Sequence, residues 1–240
     1  MCDYIVDDDI IIFSLDYNKN LDINLISKYN KIIFSNCGLI NDSFGSYMKY
    51  DLKNSNRSIF NQPVDNLPCS IINLTFGWSF NQQVDNLPSL LTNLTFGNNF
   101  NKSVDNLPSS LTNLTFGYRF NQQIDNLPCS IINLTFGWCF NQSVDNLPCS
   151  ITNLTFGFSF NQLVDNLPRS ITNLTFGYNF NCPVNNLPHS ITNLTFGSHF
   201  NQSVDLLPTK LEKVIIPSFY LNLKINTIIF IRKAIQHCNN

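Results

Sequence analysis

The sequence predicts a β-rich repeat solenoid with one short parallel strand in each 20-residue turn and little helix. Three observations carry that reading. The string NLTFG starts at Asn73 and returns at Asn93, Asn113, Asn133, Asn153, Asn173 and Asn193, a fixed step of 20 residues. Of the 21 Phe, 15 fall in two columns, one running from Phe76 to Phe196 and the other from Phe60 to Phe200. In a representative line, Phe140–Ser159 (FNQSVDNLPCSITNLTFGFS), Leu154 and Phe156 alternate with Asn153 and Thr155. That period of two marks a strand.

Each part of the line has a physical reason. Leu154 and Phe156 point to one side of the strand, and Gly157 ends it. Asp145-Asn146-Leu147-Pro148 supplies turn chemistry and a ring that cannot donate to a ladder. Val144, Leu147, Ile151, Leu154, Phe156 and Phe160 are spread around the turn, so all can face one axis. No stretch holds helical spacing. A two-helix repeat needs about 33 residues and a propeller blade about 40, so both are excluded. Burying one line's apolar side chains recovers less free energy than ordering its residues costs, so a line folds only when stacked on others.

The totals bound the function. The 240 residues carry 12% charged side chains and a net charge of -2, with no basic stripe of the kind nucleic acid selects. The start is acidic (Asp3, Asp7, Asp8, Asp9) and its apolar run, Ile10–Phe13, is too short for a signal peptide. No run approaches the roughly 18 apolar residues of a membrane span. A cytoplasmic location without membrane contact is therefore expected. Eight cysteines (Cys2, Cys37, Cys69, Cys129, Cys139, Cys149, Cys182, Cys238) show no zinc-type pairing and are expected as free thiols. Cys129 and Cys149 share a column on adjacent turns, where a disulfide is geometrically conceivable, although a reducing compartment opposes it.

At this point the spacing becomes recognisable. Leu147-Pro148-x-x-Ile151-x-x-Leu154-x-Phe156 resembles the short leucine-rich repeat. It departs from that pattern after the strand, where Phe160-Asn161 stands in place of Asn-x-Leu. The Phe-Asn-Gln signature together with LPxSLTxLTFG resembles the FNIP repeat, known from social amoebae and from giant DNA viruses of amoebae, and covers residues 60–208. The resemblance implies a leucine-rich-repeat-like right-handed arc that binds proteins, with host proteins and host cytoplasm as the setting if the chain is viral. Some relatives carry an F-box, which implies a ubiquitin-ligase substrate adaptor; none is recognisable in residues 1–59. Three segments follow: an N-terminal cap over 1–59, tandem repeats over 60–208 and a C-terminal cap over 209–240. In the caps, Lys28–Asn36, Tyr47–Leu52, Leu211–Ile216 and Ile225–Ile231 read as closing strand units.

The columns then divide into structural and candidate binding positions. Asn161 and its equivalents read as a ladder whose amides bond backbone groups at a turn. The Asp column (Asp65, Asp85, Asp105, Asp125, Asp145, Asp165, Asp205) offers one carboxylate per turn. Calcium needs six to eight oxygens around one point, so an Asx turn is the better reading. His189, His199 and His237 read as surface residues, and no column joins nucleophile, base and orienter. No enzyme, cofactor or metal is expected. Each Asn-Leu-Thr matches a sugar acceptor, but the alternation makes its Asn and Thr two outward ladders. After Gly the chain places Trp78, Tyr118, Trp138, Phe158 and Tyr178, interrupted by Asn98 and Ser198. This aromatic rim is the candidate site for a protein partner, contacted by a monomer. A glycan or a periodic surface is the alternative ligand.

Overall fold

Every NLT triplet forms the strand of its turn. A computed structural model describes residues 3–34 and 58–217, and the chain divides into two units, Met1–Phe120 and Asn121–Asn240. Each unit is a β-solenoid. In the first, β1 (Tyr4–Asp7) and β2 (Ile10–Phe13) form an antiparallel hairpin. Asp8 takes the left-handed backbone, φ 48°, that its tight turn requires. A short helix, α1 (Ile23–Ile26), is capped by the Asp22 carboxylate, which accepts from the N–H groups of Asn24 and Leu25. β3 (Lys31–Phe34) pairs parallel with β2, followed in order by β4 (Asn73–Thr75), β5 (Asn93–Thr95) and β6 (Asn113–Thr115).

In the second unit the order is β7 (Asn133–Thr135), β8 (Asn153–Thr155), β9 (Asn173–Thr175), β10 (Asn193–Thr195) and β11 (Lys213–Ile215). Each pairs parallel with the next, column on column, so Leu154 faces Leu174 and Leu174 faces Leu194. β11 lies within the expected closing segment Leu211–Ile216. The other expected closing units, Tyr47–Leu52 and Ile225–Ile231, lie outside the described residues.

The core is the one the columns foretold. Val144, Leu147, Ile151, Leu154, Phe156 and Phe160 are all buried, with Leu147 the most exposed at 8%. The two Phe columns interleave as a double stack. Phe156 and Phe160 meet within one turn at 3.7 Å between ring centroids. Between turns, Phe156 meets Phe176 at 5.7 Å and Phe160 meets Phe180 at 6.0 Å. The first unit repeats this, with Phe76–Phe80 at 3.7 Å and Phe76–Phe96 at 5.7 Å.

The N-terminal cap is built from the same stack. Phe34 and Phe60 meet at 3.9 Å, taking the places of a Phe76/Phe80 pair. Phe13 and Tyr17 form the turn before it, at 4.4 Å, and Tyr17 stacks on Phe60 at 6.1 Å. Tyr17-Asn18 therefore stands for Phe-Asn. Asn18 Oδ1 accepts from the Asn61 N–H and from Gln62 Nε2, both at 2.9 Å. β3 falls in the strand unit expected at Lys28–Asn36, whereas β2 was legible only as an apolar run.

Two asparagine ladders tie turn to turn. In one, the Asn161 N–H donates to Asn141 Oδ1 at 2.8 Å, and the Asn181 N–H donates to Asn161 Oδ1 at 2.8 Å. This is the amide-to-backbone ladder expected for the column. In the other, Asn153 Nδ2 donates to Asn133 Oδ1 at 2.6 Å and to Thr152 Oγ1 at 3.0 Å. Both of its amide hydrogens are thus engaged. Its Oδ1 accepts in turn from Asn173 Nδ2 at 2.6 Å. Replacing Asn153 with Ala strands the Asn133 acceptor and the Asn173 donor. We expect a loss of about 1–3 kcal/mol, read as a lower urea midpoint at unchanged slope.

At Asp145 the expected Asx turn gives way to other bonds. The Asp145 carboxylate accepts instead from Ser143 Oγ at 2.8 Å and from Asn166 Nδ2, on the next turn, at 3.1 Å. Asp125 and Asp165 receive Asn146 and Asn186 in the same way, each at 3.0 Å. The reason is electrostatic. Carboxylates on turns about 5 Å apart repel by about 0.8 kcal/mol per pair even in water, and a neighbouring amide dipole offsets that repulsion better than a local backbone bond does.

Candidate functional site

The rim residues are set by a tight turn that follows each strand. In the turn from Gly177 to Phe180, the Phe180 N–H donates to the Gly177 carbonyl at 3.4 Å, leaving Tyr178 at the outward corner. Successive corners are locked by backbone bonds one turn and one residue apart. Ser159 N–H donates to the Trp138 carbonyl and Asn179 N–H to that of Phe158, both at 2.9 Å. His199 N–H reaches the Tyr178 carbonyl at 3.0 Å.

In the second unit this brings three predicted residues together as one stack. Trp138 lies on Phe158 with centroids 4.0 Å apart and planes within 7°. Phe158 lies on Tyr178 at 4.7 Å and 3°. His199 closes the stack on Tyr178 at 4.2 Å, tilted by 54°. Trp138 and Tyr178 are 43% and 41% exposed, while Phe158 between them is half-buried. Because neighbouring rings cover the faces of Phe158, the column shows ring edges to solvent. Those edges carry the positive side of the aromatic quadrupole.

In the first unit Asn98 interrupts the aromatic column. Trp78 is half-buried and Tyr118 is 44% exposed. Asn98 stands between them, and its Oδ1 accepts from the Tyr118 N–H at 3.4 Å. His199 was read from sequence as a surface histidine. It is exposed, yet it belongs to the stack. The signal that finds it is diagonal: it lies 21 residues after Tyr178, the same offset that joins Asp145 to Asn166.

Other columns are occupied by structure. Cys182 takes the place of the Gln that elsewhere donates to the preceding Asn, with its Sγ 3.3 Å from Asn161 Oδ1. Burial pushes the Cys182 thiol pKa up. Among the described residues, no group of three or more His, Cys, Asp or Glu side chains could hold a metal ion. No helix among them is long and apolar enough to cross a membrane.

The model of the FNIP Repeat matches residues 60–99, 83–118, 100–139, 120–159, 160–186 and 183–219, an unbroken run over two thirds of the chain. The chain belongs to the FNIP repeat family. Among solved structures it is similar to the crystal structure of CroV588, described as a novel circular LRR protein structure, with a TM-score of 0.57 and 29% identity. The match covers 92% of this chain and 43% of that one, so the chain spans less than half of CroV588's length. No curated protein matches the chain. The FNIP matches begin at residue 60, but the FNIP-type aromatic stack starts at Phe13 and Tyr17. These earlier turns escape the family pattern because Tyr17 replaces a Phe and because 26 positions, rather than four, separate Phe34 from Phe60.

Proposed function

We propose that this FNIP repeat chain is a non-enzymatic protein–protein interaction scaffold that meets its partner through the aromatic rim. One observation carries the reading: Trp138, Phe158 and Tyr178 form a continuous stack in which Trp138 and Tyr178 are each more than 40% exposed. Rings already ordered by stacking lose little side-chain entropy on binding, and aromatic anchors dominate interface energetics. A glycan or periodic-surface reading draws less support, because the Asn153 column has both amide hydrogens engaged within its own ladder.

The test compares proteins captured from native cells by the wild-type chain and by a Trp138→Ala/Tyr178→Ala double variant. The rim lies outside the core, so the variant should melt within a few degrees of wild type. Specific partners should fall at least tenfold in the variant. Identical partner sets for the two proteins would remove the rim from the reading, and cullin-complex subunits among the lost partners would redirect it to the ligase-adaptor role.

A further inference from the structure

We propose that Cys129 and Cys149 form a peroxide-responsive pair, which closes to a disulfide and fastens two consecutive turns of the second unit. Both are free, exposed thiols. They hold the same position in successive lines, Pro128-Cys129-Ser130 and Pro148-Cys149-Ser150. The local backbone is the same in both. Ile131 N–H donates to the Pro128 carbonyl at 3.2 Å, and Ile151 N–H to the Pro148 carbonyl at 3.3 Å.

The two turns are held together on the C-terminal side of the pair. The Ser150 hydroxyl, one residue beyond Cys149, donates to the Ile131 carbonyl of the preceding turn at 2.6 Å. Two residues further on, β7 and β8 pair with Asn133 opposite Asn153. In-register neighbours on paired strands stand about 4.8 Å apart, and a disulfide takes Cα separations of about 4.4–6.8 Å. Among the described residues, the other free thiols lack such a neighbour on the next turn: Cys69 is followed by Ser89, Cys139 lies between Arg119 and Ser159, and Cys182 lies between Gln162 and Gln202.

The chemistry balances with hydrogen peroxide as the oxidant. One sulfur attacks a peroxide oxygen, the O–O bond breaks, and a sulfenic acid and one water result. The second sulfur attacks the sulfenic sulfur, the S–S bond forms, and a second water leaves with the remaining thiol proton. The pair gives up two electrons, which reduce the peroxide. The closed loop restricts the unfolded chain, so the oxidised second unit resists unfolding more than the reduced one.

The full-length chain is treated with hydrogen peroxide, alkylated, and cleaved on the N-terminal side of aspartate. Cleavage before Asp125, Asp145 and Asp165 places Cys129 and Cys149 on separate peptides, 125–144 and 145–164. These peptides should appear cross-linked, separate on treatment with dithiothreitol, stay linked in Cys139→Ser, and be unlinked in Cys129→Ser. Peroxide should also raise the melting temperature of wild type but not of Cys129→Ser. The proposal is overturned if the two cysteines remain alkylated thiols, proceed to sulfinic acid unlinked, or join separate chains instead.

Discussion

Replacing Phe160 with Ala is expected to remove about 3–5 kcal/mol of stability. Phe160 is fully buried and touches rings in three directions: Phe156 in its own turn at 3.7 Å, Phe140 at 6.1 Å and Phe180 at 6.0 Å. The surrounding rings cannot collapse into the gap, because each is held in place by the packing and backbone bonds of its own turn. The cavity therefore persists and the loss falls near the upper end of that range. Phe158→Ala removes a ring of the same size from the rim and should cost less, about 1–2 kcal/mol, since Phe158 is only half-buried and the gap it leaves opens to water. Urea melts of the two variants make the comparison. Equal losses would mean that the two stacks contribute alike, which the burial pattern forbids.

Gly177→Ala is the second large effect, and its sign is diagnostic. Backbone propensity alone favours Ala over Gly by about 0.5–1 kcal/mol. Here a Cβ on Gly177 would stand 1.8 Å from the carbonyl oxygen of Gly157 and 2.3 Å from its carbon. Both are backbone atoms of the preceding turn, so no side chain can swing aside. The turns must separate, which strains the Asn179–Phe158 backbone bond and the ring stack beside it. We expect a loss of about 3 kcal/mol or more. Hydrogen exchange should localise the damage to the amides of Phe176–Phe180. A neutral or stabilising result would show that the close approach is not a constraint. The glycine does more than end a strand, which is the role the sequence suggests: it lets its own turn come close to the one before it.

What could be read in advance depended on how contacts run through the chain. Contacts at a step of 20 residues repeat in register, so the strands and the inward columns, the two Phe columns among them, were visible as vertical columns, although the stacking of the Phe rings was not. Contacts at a step of 21 run diagonally and were missed. They include the Asp145–Asn166 bond and the seat of His199 on Tyr178. The N-terminal turns were hidden for another reason. Between Phe13 and Phe60 the line breaks its length while keeping its chemistry, so the packing partners survive but the period does not. The rim residues were legible as a column, but whether they stacked was not. That depends on the turn after each glycine, which lays Trp138, Phe158 and Tyr178 ring on ring.

The ladders also have a direction. Asn161 N–H donates back to Asn141, Asn153 Nδ2 to Asn133, Ser150 Oγ to Ile131, and Asn166 Nδ2 to Asp145. In these side-chain ladders the donor sits on the later turn and the acceptor on the earlier one. The backbone also runs the other way: the Phe156 N–H, on the earlier turn, donates to the Thr175 carbonyl at 2.9 Å, and the Phe176 N–H to the Thr195 carbonyl at 2.8 Å. A turn therefore waits for its successor with oxygens from its side chains and an N–H from its backbone. Neither kind can be left dry without cost. The last turn of any such stack must be closed by a cap or by water, and the repeat cannot finish itself.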